Sequence, residues 1–373
     1  MKKTFLYRAR LSRETEKSYL AWLETCRQLY NLALEQRVIA WKEYRKNISG
    51  YDQVVQLPSL KKAFPEFKVV GSQCLQDVVE RLDRAFNAFF RRVKKGEKPG
   101  YPRFKSYLRY KSFTLKQAGW RLNGRHLYIN HIGRFKLFLS CPIEGDIKTV
   151  TIIRKSTGKW FVSFSCDDVP EKKLSPTGKD IGIDVGIKAF CVDSDGNKVD
   201  NPRFLKKSLK LLKRRQRSLS RKKKGSARRH KARYLVARTH EKIANQRKDF
   251  LHKTANQYIK HYDKIFIEDL QIKNMVRNHH LAKSISDASW GMFFNLLAYK
   301  AEEAGRELVR VLPNNTSQIC SGCGEKVPKS LSIRIHKCPF CGLVLDRDEN
   351  AAINIIALGQ RVQALTSALA NVA

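Results

Sequence analysis

The chain has 373 residues, 42% of them hydrophobic, enough to bury a core and, by length, to form two or three domains. Its 74 Lys and Arg against 34 Asp and Glu leave a formal charge of +40, and self-repulsion of that size disfavours a compact state without a polyanion, so a long nucleic acid is the expected partner. A membrane is set aside because no apolar run approaches spanning length and Met1-Lys-Lys-Thr-Phe-Leu-Tyr-Arg8 lacks a signal-peptide core, which predicts an intracellular protein.

Residues 4–11 alternate and are β-prone, which predicts a first strand. Apolar residues then recur at helical spacing from Arg13 to about Arg45 and from about Ser72 to Lys95, with proline and glycine breaks between Gly50 and Gly71. Trp22, Tyr30, Trp41, Tyr44 and Tyr51 lie among basic residues, where they serve either the core or base stacking. After a basic, proline-rich connector at 96–105 the period changes. Short β-prone runs at 112–115, 120–122, 126–130, 135–139, 149–154 and 160–166, punctuated by glycine, predict a small β-barrel. If the first strand joins it, the helices are an insertion hung on the barrel.

Beyond a linker at 169–178, Asp180-Ile-Gly-Ile-Asp-Val-Gly-Ile187 alternates so that Ile181, Ile183, Val185 and Ile187 share one face and Gly182, Asp184 and Gly186 the other. Asp184 is then a carboxylate inside a buried-looking strand. It wants a cation, and its flanking glycines would admit a phosphate backbone. Residues 191–199 predict a hairpin turning through Asp195-Gly196, with Asp193 and Asp195 as turn formers. From Arg203 to Lys260 the chain reads as long, basic and largely helical. No acid occurs between Lys206 and Arg233, and Lys222, Lys223, Lys224, Arg228, Arg229, Lys231 and Arg233 cluster as phosphate-contacting residues do. A second strand, 264–270, carries Glu268 and Asp269 on opposite faces, and alternation alone leaves open which of them faces Asp184. A polar stretch to His280, a helix at 286–304 and a third strand at 307–312 follow.

Two Cys-x2-Cys knuckles, Cys320/Cys323 and Cys338/Cys341, are separated by fourteen residues, the spacing of a structural Zn2+ site; a disulfide pair is the plainer alternative. The other five cysteines, Cys26, Cys74, Cys141, Cys166 and Cys191, are scattered as small buried hydrophobes. Asp346-Arg-Asp348-Glu349 then opens an amphipathic helix, with Asp346 as N-cap and Glu349 closing a capping box. Asp348 is left to serve the helix dipole or to point into a sheet that Ala351 and Ala352 let approach. Residues 360–373 read as a further small helix.

Acids on three separate elements, Asp184, Glu268 (or Asp269) and Asp348, suit two-metal phosphodiester cleavage with Mg2+, and their order along the chain suggests a ribonuclease H-like sheet of the RuvC type. The expected architecture is multidomain, α+β and α/β.

Gly182-Ile-Asp184-Val-Gly-Ile, Glu241-Lys-Ile-Ala-Asn-Gln-Arg-Lys-Asp249, Ile267-Glu268-Asp-Leu, Thr316-Ser-Gln-Ile-Cys320-Ser-Gly-Cys323-Gly324, Cys338-Pro-Phe-Cys341-Gly342 and Arg347-Asp348-Glu-Asn-Ala-Ala-Ile-Asn-Ile355 resemble the TnpB proteins of insertion sequences, compact relatives of type V CRISPR effectors. The likeness covers nearly the whole chain and is specific from Asp180 to Ala357; before Pro99 it is weaker, and Gly100-Tyr-Pro-Arg-Phe-Lys105 is the clearest early patch. The resemblance implies an RNA-guided DNA endonuclease with a transposon-derived guide RNA and double-stranded target DNA as partners, cutting next to a short flanking motif. By motif the catalytic, Mg2+-holding carboxylates are Asp184, Glu268 and Asp348, and the Zn2+ ligands Cys320, Cys323, Cys338 and Cys341. It divides the chain into a wedge-type barrel (1–12 and 96–170), a helical recognition insertion (13–95), a RuvC-like domain (179–317 and 343–373) and a zinc ribbon (318–342), in a monomer of the prokaryotic cytoplasm, associated with the nucleoid. The rival expectations are a transposase joining DNA ends with the same acids and a non-catalytic zinc-ribbon repressor.

Overall fold

The computed structural model describes residues 1–330 and 332–370, and the chain forms two compact units, Met1–Pro170 and Glu171–Ala373. In the first, β1 (Lys3–Leu11) leads into α1 (Arg13–Tyr44), α2 (Gly50–Val55), α3 (Leu57–Ala63) and α4 (Ser72–Lys94). Six strands follow: β2 (Ser112–Leu115), β3 (Trp120–Asn123), β4 (His126–Ile129), β5 (Gly133–Phe138), β6 (Asp146–Arg154) and β7 (Trp160–Asp167). They form one antiparallel sheet in the order β2-β6-β7-β1-β5-β4-β3, a curled half-barrel with β2 and β3 at its edges.

Alternation decides the inner face. Phe5, Tyr7 and Ala9 of β1 and Trp160, Val162, Phe164 and Cys166 of β7 are buried, each large side chain contributing roughly 1.5–3 kcal/mol. Ser12 caps α1 by accepting the Thr15 N–H. That helix lays Tyr19 against Phe113, ring centroids 4.9 Å apart, and edge-on to Trp160 at 4.4 Å. Trp22 and Tyr30 belong to the same core, whereas Trp41, Tyr44 and Tyr51 are exposed. Cys141 is exposed too, against the expectation of burial; Cys26, Cys74, Cys166 and Cys191 are buried.

In the second unit a five-stranded sheet has the order β10-β9-β8-β11-β12, from β8 (Asp180–Val185), β9 (Ala189–Asp193), β10 (Lys198–Asp200), β11 (Lys264–Glu268) and β12 (Glu307–Val311). β8, β11 and β12 run parallel. Between β10 and β11 lie α5 (Phe204–Ser220) and α6 (Ala227–His261); α7 (Ile272–Met275), α8 (His279–Ala288) and α9 (Trp290–Ala304) connect β11 to β12. β13 (Ile335–Lys337) and β14 (Val344–Asp346) form a small hairpin before α10 (Arg347–Ala370). The sheet has apolar side chains on both faces. Ile181, Ile183, Ile265 and Ile267 pack with α6 and α9, while Phe266 and Val311 meet Ile355 of α10.

Three expected helices differ. The basic stretch after Arg203 is two packed helices, because Gly225 takes a positive φ and Ser226 caps α6. The stretch 286–304 breaks at Ser289, which is left-handed (φ 62°). Residues 360–370 continue α10 instead of starting a new helix; 371–373 lie outside the described residues.

Candidate functional site

Register brings two of the acids together. β8 and β11 pair in parallel with Phe266 beside Gly182 and Ile267 beside Ile183, so one step further Glu268 stands beside Asp184 at the carboxyl ends of neighbouring strands. Asp184 shares its face with Gly182, and Glu268 with Phe266. This is the face that α10 covers, and Asp348 lies in the first turn of that helix. Asp269, the alternative, turns the other way and pairs with Arg310 at 3.1 Å.

Close approach of α10 sets where Asp348 sits. A Cβ on Gly182 would lie 2.2 Å from the Ala352 carbonyl oxygen, and one on Gly359 1.9 Å from the Phe266 ring. Gly182 therefore makes room for a helix backbone and not, as expected, for a phosphate. Ala351 and Ala352 are buried in the contact, as their size suggested. Asp346 does cap the helix, accepting the Asp348 N–H at 2.8 Å, but the Glu349 carboxylate sits by Gly196 of the β9–β10 hairpin, so the expected capping box does not form. In that hairpin Asp193 accepts the N–H groups of Asp195 and Asn197 and Asp195 accepts the Tyr262 hydroxyl, as turn formers do.

The acids feel one another. Burial, then the charges of Glu268 and Asp348, push the Asp184 carboxyl well above the usual carboxylate range, against the pull of Arg347 and the Val185 N–H. Burial also raises Glu268, opposed by the Thr316 hydroxyl, which donates to Oε1 at 2.5 Å. Arg334 approaches Asp348 at 3.5 Å. Carboxylates that resist ionising together in a half-buried site favour a cation among them.

The cysteines are gathered more tightly. Cys320, Cys323, Cys338 and Cys341 place all four sulfurs within 4.8 Å of one another, with Cys320–Cys341 and Cys323–Cys338 at 3.6 Å. Tetrahedral ligation with Zn–S bonds of about 2.3 Å puts sulfurs about 3.8 Å apart, so the cluster fits a zinc ribbon and its thiols are free. Burial raises the Cys338 thiol, yet N–H groups of Cys341 and Phe340 bring it down to about 7, toward the thiolate a metal needs. Among the described residues this is the group of potential metal ligands collected within 4.8 Å; the carboxylates are spaced more widely.

Sequence reasoning missed the groups that tie cluster to helix. Asn350 donates to the Ile319 carbonyl and accepts the Ser321 N–H, Asn354 donates to Thr316 and Ile319 carbonyls, and buried Arg347 reaches Ser317 and Ser330. Asn350 and Asn354, four apart on an otherwise apolar helix face, were the available signal.

The basic run occupies the α5–α6 turn and the start of α6. Lys223, Lys224, Arg228 and Lys231 are exposed, and Lys222 and Arg233 half-buried. Arg229 instead closes the turn, donating to Leu219 and Lys222 carbonyls at 2.9 and 2.8 Å. A concavity of about 790 Å³ along α5, lined by Lys207, Lys210, Arg214, Arg217, Arg221 and Lys222 among others, extends the positive surface.

Fold and site together define a mixed α/β protein with a four-cysteine ribbon and an acidic centre at the ends of parallel strands. Residues 163–279 match a family model described as "Probable transposase" (OrfB_IS605), and residues 290–355 match the "Cas12f1-like, TNB domain" model. A Streptomyces pristinaespiralis protein named "Putative RNA-guided DNA endonuclease" is 36% identical over 96% of this chain and 90% of its own length. The Escherichia coli K12 "Putative RNA-guided DNA endonuclease InsQ" is 30% identical over 91% and 88%. A cryo-EM structure of a Cas12f1-sgRNA-target DNA complex shares the fold, with a TM-score of 0.59 at 15% identity over 95% of this chain and 98% of that one. The chain belongs to the TnpB family of RNA-guided DNA endonucleases.

Proposed function

We propose that this chain is the RNA-guided DNA endonuclease of a transposable element, hydrolysing phosphodiester bonds of double-stranded target DNA beside a short flanking motif. The observation that carries the reading is the parallel register that sets Glu268 beside Asp184 under the helix whose first turn carries Asp348. On this reading 179–317 and 343–373 form a ribonuclease H-like domain of the RuvC type and 318–342 its zinc ribbon. Residues 1–12 and 96–170 form a wedge-type barrel, and 13–95 the recognition insertion.

Asp184, Glu268 and Asp348 would hold Mg2+, which supplies activation of water and stabilisation of the leaving oxygen. The chain's own part is to hold three carboxylates close enough to raise one another's cost of ionising, a cost that a bound cation would relieve. The basic turn and the α5 surface neutralise phosphates, while a transposon-derived guide RNA supplies the sequence by base pairing. The protein acts as a monomer in the prokaryotic cytoplasm, at the nucleoid; no described helix is long and apolar enough to cross a membrane.

The test is a cleavage assay with protein purified alongside its RNA. Mg2+-dependent cutting of matched DNA is expected, lost in Asp184→Ala and Asp348→Ala while RNA binding persists. Efficient digestion by RNA-free protein, or strand-transfer products from bare DNA ends, would refute it.

A further inference from the structure

We infer that Thr316 is a positioning residue for Glu268, and that the segment entering the cysteine cluster holds the acidic centre in shape through it; the inference rests on the nuclease reading above. The Thr316 hydroxyl donates to Glu268 Oε1 at 2.5 Å, which fixes the carboxylate's rotation and leaves Oε2 for a cation. Thr316 is itself held. It is 5% exposed, and its carbonyl accepts from Asn354 Nδ2 at 2.8 Å.

The same amide donates to the Ile319 carbonyl at 2.7 Å, next to Cys320, and Asn350 grips the other side of that cysteine by accepting the Ser321 N–H at 3.0 Å. Arg347 Nη2 adds a bond to Ser317 Oγ at 3.0 Å. Residues 316–321 are thus strapped to the opening turns of α10, the helix that carries Asp348. One short strap therefore reaches Glu268 through a hydroxyl, Asp348 through the shared helix, and a zinc-ligating cysteine through its flanking backbone. Anchoring to α10 uses the Thr316 carbonyl alone; the hydroxyl spends its donor on an acid of the site. Groups that orient a metal-holding carboxylate in this way are worth about 10- to 100-fold in metal affinity or activity.

The experiment uses the full-length, RNA-bound protein with Thr316→Val, which keeps the shape and removes the donor, Thr316→Ser, which keeps the donor, and Asn354→Ala. Mn2+ binding is read by electron paramagnetic resonance titration, cutting by single turnover, and zinc by metal analysis. Thr316→Val should weaken Mn2+ binding and slow cutting about 10- to 100-fold with zinc and RNA binding retained. Thr316→Ser should recover most of the loss, and Asn354→Ala should follow Thr316→Val. Parental Mn2+ binding in Thr316→Val overturns the inference, and so does loss of zinc from it, which would place the residue's role in the ribbon alone. Asp184→Ala, run in parallel, separates the two levels: if it still cuts, the nuclease reading fails; if it is dead while Thr316→Val is unchanged, only the positioning role falls.

Discussion

Gly182→Ala tests the packing on which the acidic centre depends. The added methyl would begin 2.2 Å from the Ala352 carbonyl oxygen and 3.1 Å from the Ile356 nitrogen, both backbone atoms of α10 that no rotamer change can move. Since real Cβ atoms essentially never make contacts below 3.0 Å, the helix must retreat by roughly 0.8 Å at its second turn. Overpacking of this kind typically destabilises by about 1–3 kcal/mol. Asp348 rides on the turn before Ala352 and moves with it, and a misplacement near 1 Å at a reacting centre slows chemistry about 100-fold. Gly359→Ala is the control: it clashes with the Phe266 ring about three turns from Asp348, so it should lose comparable stability with a smaller loss of rate. Urea unfolding and single-turnover cutting of matched DNA measure both. Parental stability and rate in Gly182→Ala would refute the claim that this glycine sets the helix position.

Further outcomes follow from the same geometry. Asp269→Asn, which only breaks an exposed pair with Arg310, should leave cutting within about twofold, exposed pairs being worth about 0–1 kcal/mol, whereas Glu268→Gln should abolish it; equal effects in the assay would reverse the assignment. Cys338→Ser should lower zinc below one ion per chain and lower the melting temperature, as removal of a structural ion does; full zinc content by metal analysis would remove the ribbon assignment. An acid raised in the folded state stabilises below its unfolded pKa, near 3.8 for aspartate, and loses that contribution as pH rises through the folded value. Asp184→Asn should therefore melt above the parent at neutral pH without Mg2+, and the order should reverse when Mg2+ is added. Replacing exposed Lys223 and Lys224 by Ala should flatten the salt dependence of RNA binding by about 0.7 per lost phosphate contact, while Arg229→Ala should open the α5–α6 turn and lower helicity.

What was legible in the sequence was periodic. Alternation marked the strands from β1 to β7, because all but β3 bury alternate side chains and most of the glycines among them fall in turns, Gly133 lying within β5. The same rule placed Gly182 and Asp184 on one face but assigned the glycine to a phosphate, since a missing side chain signals close approach without saying what approaches. Spacing found the cysteine cluster, but not Cys141, an isolated residue with no period to place it. The break at Ser289 was hidden because serine carries no strong signal for the left-handed turn it adopts.

The ambiguity between Glu268 and Asp269 shows where sequence reading stops and pairing begins. Glu268 is the last residue of β11 and Asp269 follows it directly, and from sequence either satisfies an alternating pattern. Only the neighbour decides: with Phe266 opposite Gly182, the face that excludes a side chain at 182 in favour of α10 is the face on which Glu268 must emerge. A slip of one residue would put Asp269 there and leave Thr316 without the carboxylate it donates to. The glycine contact and the threonine bond both depend on that register, so a substitution at Gly182 or Thr316 should be felt at the acidic centre before it is felt in the ribbon.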